Sequence, residues 1–81
     1  MTFTEAIAEL TKRCGKTKAT RNIPHMLRSC KTVDEAVERM RHAVEIRRGI
    51  LSYEGSNYEK VTRAIEREAN WLEEHKAEIE A

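Results

Sequence analysis

Apolar residues recur along this chain at steps of three and four, the spacing that places side chains on one face of an α-helix. Phe3, Ile7, Leu10 and Cys14 form the first such run, between Thr2 and Gly15. Thr2 followed by Glu5 makes a capping box, in which each side chain satisfies a backbone N–H near the other. Gly15 is a good left-handed terminator. A helix over 3–14 follows. Residues 16–21 are polar and basic without periodicity and read as a loop. Pro24 fits a helix only in its first turn, where a missing N–H costs nothing. A second, short helix is therefore predicted over 22–30, with Ile23, Met26, Leu27 and Cys30 as its apolar face.

From Thr32, capped by Glu35, the run Val33, Val37, Met40, Val44, Arg47, Leu51 alternates steps of four and three, and Ala36, Ala43 and Ile50 widen the stripe. A long helix over 33–53 is expected. Glu54-Gly55-Ser56-Asn57 interrupts it, and Ser56 with Glu59 offers a third capping box. Tyr58, Val61, Ile65, Glu68, Leu72, His75 and Ile79 then repeat the seam over 57–79. Two amphipathic helices of about 20 residues joined by a short turn are antiparallel neighbours on the order of 30 Å long. The expected fold is all-α, a single helical domain over 1–81: a small bundle in which two short N-terminal helices pack on a long antiparallel hairpin.

Composition narrows the class. The 81 residues are 40% apolar and 36% charged, with three glycines and one proline. That excludes a disordered tract and argues against a turn-rich β protein. A domain this small buries a thin core. The acidic, polar start lacks the basic and apolar regions of a signal peptide, and no run approaches the roughly 20 apolar residues that span a bilayer. A soluble, cytoplasmic protein without membrane contact is expected, with Cys14 and Cys30 reduced and packed as small apolar residues.

The net charge of +1 conceals an asymmetry. Residues 1–33 carry +5, residues 34–53 carry 0, and residues 54–81 carry −4. Lys12, Arg13, Lys16, Lys18, Arg21, Arg28 and Lys31 lie in a stretch without an acidic residue. Such a stretch suits an acidic protein face or nucleic-acid phosphates, or it rests against the glutamates of the last helix in the same or a second copy. No aromatic residue interleaves with it for base stacking.

Two charges fall inside apolar stripes. Arg47 interrupts the third helix and Glu68 the fourth, at levels where an antiparallel hairpin brings them close. They are expected to form a buried ion pair that fixes the register, in preference to a recognition charge. Ile46, Tyr53 and Trp71 lie off the seam and are candidate anchors for a protein interface, although for Trp71 packing within the chain is the preferred reading.

Chemistry finds little support. Gly15-Lys16-Thr17 resembles the end of a phosphate-binding loop, but the glycine needed five positions earlier is Leu10, within a helix and with no preceding strand. Cys14, His25, Cys30 and His42 match no metal-ligand spacing. The carboxylates form i,i+4 pairs of a solvated helix face, as in Glu59 with Arg63, and His75 reads as a packing histidine. No enzyme, metal or cofactor is expected. The residues point to a small helical regulator, adaptor or inhibitor of the kind frequent among bacteriophage and mobile-element products. It would act by contact with another protein or with a second copy of itself. Nucleic-acid binding through 12–31 is the alternative, and a small-ligand sponge formed between subunits a third reading.

Overall fold

The computed structural model describes residues 1–18, 20–49 and 56–80, and among them the only regular elements are helices. The first, α1 (Phe3–Cys14), is nucleated by its capping box: the Thr2 N–H donates to Glu5 Oε1 at 2.9 Å and the Glu5 N–H to Thr2 Oγ1 at 3.1 Å. Its end differs from the expectation. Gly15 is right-handed, at φ −73°, and donates its N–H to the Thr11 carbonyl at 2.9 Å. What stops the helix is Thr20, whose hydroxyl folds back to donate to the Cys14 carbonyl at 2.6 Å, satisfying an acceptor that the helix leaves open.

The second element is a 3₁₀ helix, η1 (Ile23–Leu27), shorter and tighter than the predicted helix over 22–30. Pro24 cannot donate, and the chain proceeds by successive three-residue bonds: Ile23 to Thr20, His25 to Asn22, Arg28 to His25 and Cys30 to Leu27. Ile23, Leu27 and Cys30 are nonetheless buried, so the apolar residues reach the core without an α-helix. Arg39 ties this segment to the next helix by donating to the Met26 carbonyl at 2.9 Å and to Ser29 Oγ.

The long helices are α2 (Val33–Gly49) and α3 (Ser56–Glu74). Thr32 caps α2 by accepting the Glu35 N–H at 3.2 Å. The predicted continuation of α2 to residue 53 and the Ser56 side chain of the third capping box lie outside the described residues. The two helices run antiparallel: Arg48 meets Glu66, Arg41 meets Glu73, and Asp34 meets Lys76. The expected helix over 57–79 is not continuous. It pauses at His75 and resumes as α4 (Lys76–Glu80). At the pause the His75 N–H and its Nδ1 both approach the Trp71 carbonyl, at 3.1 and 2.8 Å, and the imidazole stacks on the indole with centroids 4.8 Å apart. A carbonyl only accepts, so Nδ1 carries the proton.

The core joins Ala6, Leu10 and Cys14 of α1 to Ile23 and Leu27 of η1, Val33, Ala36, Met40 and Val44 of α2, Ala64, Ile65, Ala69 and Leu72 of α3, and Ile79 of α4. Phe3 and Ile7, the start of the apolar stripe of α1, are only half-buried.

Candidate functional site

Among the described residues Glu68 is the only buried carboxylate, 1% exposed. It sits on the face of α3 that meets α1, and Arg13 in the last turn of α1 reaches it with a forked contact, Nη2 to Oε1 at 2.6 Å and Nε to Oε2 at 3.4 Å. Arg67 adds a donor to Oε2 at 3.3 Å, and the Cys14 Sγ lies 4.0 Å from the same oxygen. Accepting that bond, Glu68 holds the Arg13 proton more tightly than usual. Burial, with Glu68 beside it, pushes the Cys14 thiol up to about 11, so it stays protonated and unreactive near neutrality.

The expected pair of Arg47 with Glu68 is not formed. Arg47 donates to Thr62 Oγ1 at 2.9 Å and to the Tyr58 carbonyl at 3.2 Å, and its guanidinium lies over the Tyr58 ring, 4.0 Å from the centroid. Facing, and not level along the hairpin, explains this: Glu68 is turned to Arg13 of α1, whereas Arg47 is turned to Thr62 and Tyr58. The carboxylate selects the cation in front of it.

Trp71 is half-buried against the core, with the Arg13 guanidinium 4.2 Å over its ring and His75 stacked on it. It is held by its own chain on these sides. Ile46 is 52% exposed on α2. Tyr53, the third candidate anchor, lies outside the described residues.

The basic stretch divides. Arg13 is drawn inside by Glu68. Lys12, Lys16, Lys18, Arg21, Arg28 and Lys31 are exposed around α1, η1 and their connections, and none of them forms an ion pair among the described residues. Meanwhile the hairpin neutralises part of its own acidity: Glu66 is matched by Arg48 at 2.7 Å, Glu73 by Arg41, Glu59 by Arg63 at 3.0 Å and Asp34 by Lys76 at 2.8 Å. The glutamates of the last helices thus take only Arg13 from the basic stretch.

Within this basic head lies a groove of about 510 Å³ between α1 and η1. Phe3, Ile7 and Thr11 line it from α1, Pro24 and Leu27 from η1, and Cys30 from the residues that follow. Arg21, His25 and Arg28 stand among the lining residues, and no carboxylate does. The apolar wall was legible as part of a helical stripe. Its openness was not, because a stripe does not tell which of its residues the neighbouring element leaves uncovered. The second element, with Pro24 in its first turn, runs for only five residues and leaves Phe3 and Ile7 half-exposed.

Cys14 and Cys30 are unbonded and buried, while His25 and His42 are exposed. Among the described residues no group of three or more His, Cys, Asp or Glu side chains is arranged to hold a metal ion, and no helix is long and apolar enough to cross a membrane. Comparison with protein-family models, with curated proteins and with solved structures finds no match to this chain.

Proposed function

We propose that this chain is a non-enzymatic protein-interaction module of the regulator, adaptor or inhibitor type, acting in the cytoplasm. In this reading the α2–α3 hairpin is a rod and α1 with η1 a basic head that meets an acidic surface of a partner protein. The observation that carries the reading is the distribution of pairing: among the described residues Lys12, Lys16, Lys18, Arg21, Arg28 and Lys31 of the head form no ion pair, while Asp34, Glu59, Glu66 and Glu73 are each matched by a cation of α2, α3 or α4. Exposed unpaired charge of one sign raises the encounter rate with the opposite sign and selects against like-charged partners.

Site-specific photo-crosslinking in the producing cells tests this. A benzoylphenylalanine at Thr4 or Lys16 in the head should give discrete protein adducts, and one at Glu45 on the hairpin should not. Adducts from the hairpin position alone, or from neither, would defeat the reading.

Nucleic acid is the second reading, resting on the same cations. If all six met duplex phosphates, the affinity would fall with salt at a logarithmic slope of about −5. The head offers only Phe3 as an aromatic ring, half covered in the groove, which disfavours base stacking. Sedimentation with a mixed DNA and RNA oligonucleotide pool separates the two readings, and sedimentation of the protein alone reports a second copy as partner.

A further inference from the structure

The six unpaired cations explain attraction, yet they do not explain why the head leaves apolar side chains open between them. Phe3 and Ile7 are half-exposed at the start of α1, where a longer second helix would have covered them. Leaving such residues in contact with water costs about 25 cal/mol for each Å² of apolar surface. Here no carboxylate is among the lining residues of the groove, Glu5 and Glu9 of α1 not being among them, whereas Arg21 and Arg28 are. A groove of this kind discriminates in two ways: its floor prefers an apolar side chain, and its rim prefers negative charge beside it.

We infer that the α1–η1 groove binds a short acidic segment of the partner protein, seating one or two of its apolar side chains against Phe3, Ile7 and Leu27 while neighbouring carboxylates meet Arg21 and Arg28. The inference rests on the reading of α1 and η1 as a protein-binding head. Size supports it: about 510 Å³ lies within the range of roughly 300–1,000 Å³ in which small ligands sit, so the groove takes a few side chains and not a broad protein face. Charge supports it as well, because among the described residues Arg21 and Arg28 have no ion-pair partner to give up. A second copy of the chain is a poorer occupant. The large apolar residues it exposes among the described residues are Met1 and Ile46, two isolated side chains on different parts of the chain and not an apolar run within an acidic segment.

The full chain, labelled with ¹⁵N, is titrated with three synthetic twelve-residue peptides: one of alternating Glu, Asp, Leu and Phe, one with the same apolar residues and Lys in place of the acids, and one with the acids kept and Ser in place of the apolar residues. The first should shift the amide signals of residues 3–11 and 21–30, and the other two should bind at least about tenfold more weakly. Arg21→Glu and Arg28→Glu lie on the exposed surface and should each weaken the first peptide about tenfold without altering the thermal melt, whereas Lys60→Glu on the hairpin should leave it unchanged.

Binding of the acidic peptide irrespective of its apolar residues, or shifts mapped outside the groove, would overturn the inference. So would groove shifts on concentrating the protein alone that vanish in Ile46→Ser, since the occupant would then be a second copy. If no peptide binds while crosslinking at Thr4 and Lys16 still captures a protein, the groove inference fails and the basic head stands. If crosslinking fails too, both fall.

Discussion

Replacing Arg13 by Met removes the principal partner of Glu68 while keeping a long apolar stem in the last turn of α1. The carboxylate is 1% exposed and takes its closest hydrogen bond, 2.6 Å, from Arg13. Removing one partner of a buried pair typically costs 3–5 kcal/mol, because the remaining charge is left without compensation. Arg67 still approaches Oε2 at 3.3 Å from a largely exposed position and offsets part of that, while the contact of Arg13 with the Trp71 ring, about 0.5–1 kcal/mol, is lost in addition. The expected cost is therefore about 3 kcal/mol, a large share of the roughly 4–12 kcal/mol available to a domain of this length. Glu68→Met should behave differently. It buries an apolar side chain of similar volume, and the released Arg13, already part-exposed, turns toward water and Glu9, so the cost should stay below about 1 kcal/mol. Combined, the two substitutions should cost less than Arg13→Met alone, with a coupling of about 2 kcal/mol. Urea unfolding followed by helical circular dichroism and by the fluorescence of the single tryptophan, Trp71, reads all three variants. Equal destabilisation by Arg13→Met and Glu68→Met, or additive effects in the double variant, would refute the claim that the buried carboxylate dominates this layer.

Leu10→Ala, at a side chain with no exposure, should lower stability by about 3 kcal/mol or more through the cavity it leaves, seen as a lower urea midpoint at unchanged slope. The Cys14 thiol, raised to about 11 by burial, is thiolate in only about one molecule in a thousand at pH 8, so iodoacetamide should label it in urea but not in the native protein; fast native labelling would contradict its placement. Glu5 is held below the usual carboxylate range by its hydrogen bonds with the Thr2 backbone and hydroxyl. A lowered folded pKa stabilises above the unfolded value and loses that contribution as pH falls through the folded one, so wild type should exceed Glu5→Gln in stability at pH 6 and converge with it in acid. An identical pH profile for the two would remove the capping box from the account of α1.

The local features of this chain were legible because each depends on residues within one turn of one another. The capping box at Thr2 and the helical period of Leu10, Met40, Ile65 and Leu72 need no knowledge of the rest of the fold, and together they determine the all-α class. The run from Ile23 to Cys30 was legible as apolar but not as 3₁₀, since the balance between the two helix types there turns on Pro24 and on the Thr20 hydroxyl folding back onto α1. The apolar seam continues past His75 to the buried Ile79, but the helix itself is interrupted there, where the ring joins the backbone N–H at the carbonyl of Trp71.

Sequence by itself thus determined the all-α class and that the front of the chain is basic. Tertiary structure alone decided the pairing of charges. Arg47 and Glu68 sit at matching levels of a hairpin drawn in two dimensions, but in three a helix presents Glu68 to α1 and Arg47 to the seam, so Arg13 takes the carboxylate and Thr62 with Tyr58 takes Arg47. The same holds for the groove. Periodicity names the apolar residues of α1, whereas which of them stay open depends on how far a five-residue η1 reaches across that helix. A stripe is a property of one helix, and a pocket is a property of two.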